Sequence, residues 1–200
     1  MITLIDYGAG NIESVKKAFK FLGFQYELTS DTDRIKSAEK LVLPGVGSFG
    51  EAMNKLNESG LSEIIPGVVK KGTPILGICL GLQLLFEGSE ESEGVRGLSL
   101  LKGVIKRFPD TEGFKIPHVG WTSLKLNRDS RLFNGISGEP YVYFVHSYYL
   151  QKDESTAAAT CNYILDFNAA IEKDNIFACQ FHPEKSGDTG LRILENFARL

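Results

Sequence analysis

Residues 75–83 read Ile-Leu-Gly-Ile-Cys-Leu-Gly-Leu-Gln, and the reading of this stretch decides the fold. The short apolar run 75–78 has the signature of a buried strand, and residues 80–86 predict a helix beginning directly after it. Cys79 therefore falls on a sharp strand-to-helix turn. Such a turn crowds the backbone, and Gly77 and Gly81 place small residues on both sides of it. A helix N-terminus beside the sulfur favours a thiolate. The same pattern also fits an inert cysteine buried at a strand end.

Towards the N-terminus the strand–helix rhythm repeats. Residues 2–5 form an apolar strand that ends in Asp6-Tyr7-Gly8. Asn11 suits a helix N-cap, Ile12, Val15, Ala18, Phe19 and Leu22 have helical spacing, and Gly23 closes the helix. Residues 24–28 alternate like a second strand. Residues 41–43 form a third, stopped by Pro44-Gly45. Two helical stretches follow, one broken at Gly60 and one at Gly72. This alternation predicts a parallel sheet covered on both faces. Towards the C-terminus, residues 104–108, 122–126, 141–145, 169–172 and 176–181 are strand-like with few helices between them. They predict a mixed or antiparallel extension, closed by a helix over 190–200. No linker or repeat interrupts residues 1–200, which are expected to form one α/β domain. The acidic segment 87–93 reads as a solvated loop.

Composition narrows the function. With 200 residues, 42% hydrophobic, and a net charge of −3, the chain can bury a core and carries no basic footprint for nucleic acid or membrane surfaces. No apolar run approaches the ~20 residues of a membrane span, and the N-terminus lacks the basic start of a signal peptide. Three cysteines, an odd number, fit free thiols in a reducing compartment such as the cytoplasm. Three scattered histidines provide no metal-ligand spacing, and no metal or cofactor is expected.

A thiolate nucleophile needs a base. His182 follows the strand-like residues 176–181, and Glu184 lies two residues on, where extended backbone would bring both side chains to one side. A strand end with a surface carboxylate reads the same way. Acyl transfer also needs N–H donors for an oxyanion. The amide of Leu80, after the nucleophile, is one candidate, and the turn Gly45-Val46-Gly47 is the other. Gly8-Ala9-Gly10 is too short a glycine pattern for a phosphate loop, and Cys161 and Cys179 read as small core residues.

Together, Gly77-Ile78-Cys79-Leu80-Gly81 with Gln83, and Gln180-Phe181-His182-Pro183-Glu184 with Lys185-Ser186, resemble the class I glutamine amidotransferases. The stretches Asp6-Tyr7-Gly8-Ala9-Gly10-Asn11, Pro44-Gly45-Val46-Gly47-Ser48-Phe49-Gly50, Pro117-His118-Val119-Gly120-Trp121 and Tyr143-Phe144-Val145-His146-Ser147-Tyr148 are similar, within that class, to the glutaminase subunits that serve imidazole glycerol phosphate synthases. The resemblance spans nearly the whole chain. Leu82 stands where that family often has Met.

The resemblance implies a flavodoxin-like parallel sheet with a mixed extension. It also implies a glutaminase in which Cys79 attacks the side-chain amide of L-glutamine, His182 moves the protons and Glu184 holds the imidazole. Gln83 and Glu91 would bind the substrate head group, and a flip of the Val46–Gly47 peptide would gate an oxyanion donor. The implied partner is a (β/α)₈-barrel synthase subunit forming a heterodimer. Ammonia would be channelled to it to convert the ribonucleotide PRFAR into imidazole glycerol phosphate and an aminoimidazole carboxamide ribotide. Asn11, Trp121, Tyr143 and Lys185 match positions near the docking surface. His146 reads as a packing residue, and His118 as a residue shaping the site's rim. Three alternatives stay open: a paralogous glutaminase feeding another synthase, such as one for sugar amidination, a non-catalytic scaffold, and a general cysteine hydrolase.

Overall fold

The computed structural model describes residues 1–8, 12–127 and 129–200. In chain order its elements are β1 (Ile2–Ile5), α1 (Ile12–Phe21), β2 (Tyr26–Thr29), α2 (Thr32–Lys36), β3 (Lys40–Gly45), α3 (Phe49–Glu58), α4 (Leu61–Lys70), β4 (Ile75–Cys79) and α5 (Leu80–Leu84). There follow β5 (Gly88–Ser89), β6 (Val104–Arg107), β7 (His118–Ser123), β8 (Lys125–Leu126), β9 (Tyr141–His146), β10 (Tyr148–Tyr149), β11 (Ala157–Asn162), β12 (Asp166–Lys173) and β13 (Ile176–Cys179). A 3₁₀ turn (Pro183–Lys185) and α6 (Gly187–Arg199) complete the chain.

Eight strands form the main sheet in the order β2-β1-β3-β4-β13-β12-β11-β8. The first five are parallel, and β12, β11 and β8 run antiparallel beyond them. Successive residues of the parallel strands alternate between two apolar layers. Leu4, Val42, Leu76 and Phe177 pack with Val15, Phe19, Ile193 and Phe197 on one face. Ile5, Leu41, Leu43, Ile75 and Ala178 pack with Leu56, Ile65 and Val69 on the other. Both faces are therefore buried, the condition under which parallel sheets persist. Among the described residues, no helix is long and apolar enough to cross a membrane.

Two expectations are corrected here, and one strand is added. Pro44-Gly45 does not stop the third strand, which runs on to Gly45. The β1 ladder on that side ends at Val42, so the missing N–H of Pro44 leaves no gap beside it, while Pro44 still pairs with Ile78 on the β4 side. The strand expected over 122–126 is instead β7 followed by the two-residue β8. The alanine-rich β11 was not expected, because small residues carry little strand propensity.

β7 and β9 pair with each other alone as an antiparallel ribbon. Its inner residues, such as His118, Val142, Phe144 and His146, are buried. Its outer residues Val119, Trp121, Tyr141 and Val145 are exposed, Trp121 by 54%. The ribbon crosses the carboxyl end of the parallel sheet, where α/β folds assemble their sites.

Candidate active site at the ends of three strands

The ends of β3, β4 and β13 converge on a cleft of about 290 Å³. Val46, Gly47, Cys79, Leu80, Gln83, Glu91, Val145, His146, Tyr148 and His182 are among the residues lining it. Cys79 sits on the turn expected for it, with φ 56° and ψ −110°, a region that residues with a Cβ seldom enter. The flanking glycines are required by contact: a Cβ on Gly81 would lie 1.9 Å from the carbonyl oxygen of Leu43, and one on Gly77 would lie 2.7 Å from that of Gly81. The helix after Cys79 is shorter than expected. It spans only Leu80–Leu84, because the chain bends away after Leu85. As the first helical residue, Leu80 has a backbone N–H with no partner within the helix.

His182 leaves β13 in an extended conformation and its backbone N–H donates to the carbonyl of Tyr143 in β9 (3.0 Å). Its ring Nδ1 lies 2.8 Å from Glu184 Oε1. The expected pairing is present, but not by the expected route. Residues 183–185 form a 3₁₀ turn, closed by Lys185 N–H donating to the His182 carbonyl, and this turn curls Glu184 back onto the ring. Both side chains are almost fully buried, and Glu184 Oε2 is buried with no hydrogen-bond partner among the described residues. The imidazole is thus the carboxylate's outlet for its charge. Burial alone would pull the His182 pKa down, but hydrogen bonds and charge from Cys79 and Glu184 overcome it and raise it to about 10. That arrangement favours an imidazolium beside Cys79.

The substrate-side residues divide. Glu91 lines the cleft and is not simply solvated: one carboxylate oxygen accepts from the Phe49 N–H (2.7 Å) at the start of α3. Gly47 has φ 94°, and Val46 is half exposed beside it. Gly45 is not part of the cleft lining. It lies where a Cβ would come within 2.9 Å of Leu80 and of the Tyr7 hydroxyl, so its smallness serves packing. Asn11 lies outside the described residues. Trp121 and Tyr143 pair across the exposed ribbon with ring centroids 6.0 Å apart, and Lys185 is exposed at the turn after His182.

His118 does not shape a rim. Even-numbered positions of β7 face inwards, and its ring is 98% buried, stacked on Tyr163 and Phe144. Its Nδ1 lies 3.1 Å from His146 Nε2, and its Nε2 lies 2.8 Å from Thr122 Oγ1. His146 in turn places Nδ1 2.8 Å from the Tyr148 carbonyl, which can only accept. That fixes one tautomer along the chain. Burial lowers the His146 pKa to about 3 and the His118 pKa to about 4, so both rings are neutral near neutral pH. His146 is a packing residue, as expected, but it also touches the cleft. Cys161 and Cys179 are buried core residues whose thiols burial pushes upwards, Cys161 to about 12.

A cysteine on a strained elbow, an imidazole with a buried carboxylate, and the free N–H of Leu80 at a helix start fit a cysteine-dependent amide-cleaving site on a doubly wound sheet. The class-I glutamine amidotransferase family matches residues 3–200, and the chain belongs to it. Solved structures agree on the fold. A glutamine amidotransferase crystal structure covers both chains fully at a TM-score of 0.75 with 18% identity, and PurLQS from Thermotoga maritima gives 0.77 with 20% identity over 99% of this chain and 97% of its own. Much nearer in sequence are proteins described as imidazole glycerol phosphate synthase subunit HisH. That of Caldanaerobacter subterraneus subsp. tengcongensis is 50% identical over 100% of this chain and 98% of its own. That of Methanocaldococcus jannaschii is 46% identical with both chains fully covered.

Proposed function

We propose that this chain is the glutaminase subunit of an imidazole glycerol phosphate synthase, hydrolysing L-glutamine to glutamate and ammonia. The observation that supports it best is the meeting of Cys79 with the His182–Glu184 pair in one cleft, in a chain half identical to a HisH subunit over its whole length. Cys79 sulfur attacks the side-chain amide carbon, and the oxyanion meets the Leu80 N–H. A second donor comes from the Val46–Gly47 peptide once it turns inwards, a rotation that the glycine conformation permits. His182 protonates the departing ammonia, then takes a proton from the water that releases glutamate. Glu91 and Gln83 receive the α-ammonium and fix the substrate's register.

The ammonia passes to a (β/α)₈-barrel synthase subunit that converts PRFAR to imidazole glycerol phosphate and the aminoimidazole ribotide, in the cytoplasm. The exposed apolar face of the β7–β9 ribbon, with Trp121 and Tyr143, and the neighbouring Lys185 form its docking surface. Replacing Cys79 by Ala tests the assignment. Glutamine-dependent synthesis by the assembled complex is expected to vanish while synthesis from added ammonium salt persists. An equal fall in both would remove Cys79 from its role.

A further inference from the structure

We propose that Gln180 is a positioning residue that aims one amide N–H at the Cys79 sulfur and, through its other end, holds Gln83 with its carbonyl oxygen facing the cleft. Gln180 follows β13, two residues before His182, and is completely buried. Its Nε2 lies 3.8 Å from Cys79 Sγ. Its Oε1 accepts from Gln83 Nε2 at 3.0 Å. The second hydrogen on Gln83 Nε2 goes to the Tyr148 carbonyl at 3.3 Å.

The direction of this chain follows from its far end. A backbone carbonyl can only accept, so Gln83 must present its amide nitrogen to Tyr148. Both hydrogens of that nitrogen are then engaged, and the Gln180 oxygen must face Gln83. The Gln180 nitrogen is left facing the sulfur. Gln83 Oε1 accepts from no described residue, and it lies on the side chain that lines the cleft. It is therefore poised as an acceptor for an ammonium group.

The N–H matters because of what else touches the sulfur. The Val145 carbonyl lies 3.9 Å from Sγ, a good acceptor for a thiol proton and a poor neighbour for an anion. A buried donor to the same sulfur offsets that dipole when the proton leaves. The titratable groups that face the sulfur are His182 with Glu184 behind it, Tyr7 beyond β1, Cys179 within β13, His146 of β9 and Glu91 across the cleft. Gln180 is not titratable, and it can be altered while those groups stay in place.

The inference rests on the glutaminase reading only for its effect on turnover; the effect on the sulfur can be read without glutamine. Gln180→Glu keeps an acceptor for Gln83 but replaces the donor to the sulfur by a negative oxygen. Gln180→Leu removes both ends at similar volume. Alkylation by iodoacetamide would be followed against pH on the full chain, with the adduct located at Cys79 by peptide mass. The midpoint is expected to rise by about one unit or more in Gln180→Glu, and by less in Gln180→Leu. In the complex with the synthase subunit, Gln180→Leu should also raise KM for glutamine, because Gln83 loses the acceptor that orients it. An unmoved alkylation midpoint in folded variants of both kinds would overturn the proposal, as would a loss of turnover with no change in either midpoint or KM. A wild-type complex that does not hydrolyse glutamine would sink the glutaminase reading instead and leave the midpoint comparison standing.

Discussion

At Cys79 the backbone holds a left-handed conformation whose cost, of order 1–3 kcal/mol, the surrounding sheet must carry. The return is a sulfur at the end of a buried strand that lines the cleft together with His182. The imidazole's charge has a stability signature of its own. In the fold its pKa stands at about 10, above the ordinary 6.5. A raised folded value stabilises fully below the ordinary value and is lost as pH climbs through the raised one. Glu184→Gln removes much of the pairing. Its melting temperature should therefore fall clearly below that of wild type near pH 6, and the gap should close by about pH 10.5. A gap independent of pH would contradict the ion-pair account. Much of this site was legible in the residues. Glycines two places either side of Cys79 announce an elbow, and a histidine with a carboxylate two residues on suggests a base with its support. Gln180 was legible only as part of the 180–184 motif; its contacts with Cys79 and Gln83 were not, because sequence does not say which atoms lie opposite a strand end.

At the scale of elements, the site depends on how closely β3, β4 and α5 approach. The Leu43 carbonyl occupies the space where a Cβ on Gly81 would sit, and Leu43 cannot retreat without breaking its pairing with β4. Gly81→Ala is expected to cost about 3 kcal/mol, which lowers the melting temperature by roughly 6–12 °C in a chain of this size. Calorimetry would check it, and an unchanged melting temperature would mean that the elbow is looser than described. The parallel half of the fold could be read from its rhythm of apolar runs and glycine stops. The antiparallel half could be read only in part. β11 is built from Ala157–Asn162 and lies between β12 and β8, but its small side chains advertise no strand. Pro44 looked like a terminator because sequence does not reveal which side of a strand lacks a neighbour.

Across the whole molecule, one ribbon joins the proposed docking face to the chemistry. Tyr143 presents its ring outwards, while its carbonyl accepts from His182 N–H and its own N–H donates to Ser186 Oγ. Two residues along, the Val145 carbonyl lies against Cys79. Trp121 stands beside Tyr143 with half its surface in solvent and little to lose in folding. Trp121→Ala should leave the melting temperature nearly unchanged and weaken association with the synthase subunit by about 10- to 100-fold, measured by titration calorimetry. Equal binding by the variant would move the docking surface elsewhere.

The central claim is that the Cys79 sulfur attacks a glutamine carboxamide with His182 beside it. The most direct measurement is mass spectrometry of the assembled complex after exposure to 6-diazo-5-oxo-norleucine, an electrophile shaped like glutamine. The account predicts a single adduct on Cys79, formed in step with the loss of glutamine-dependent activity and greatly slowed in His182→Ala. Loss of that activity with Cys79 unmodified would contradict it.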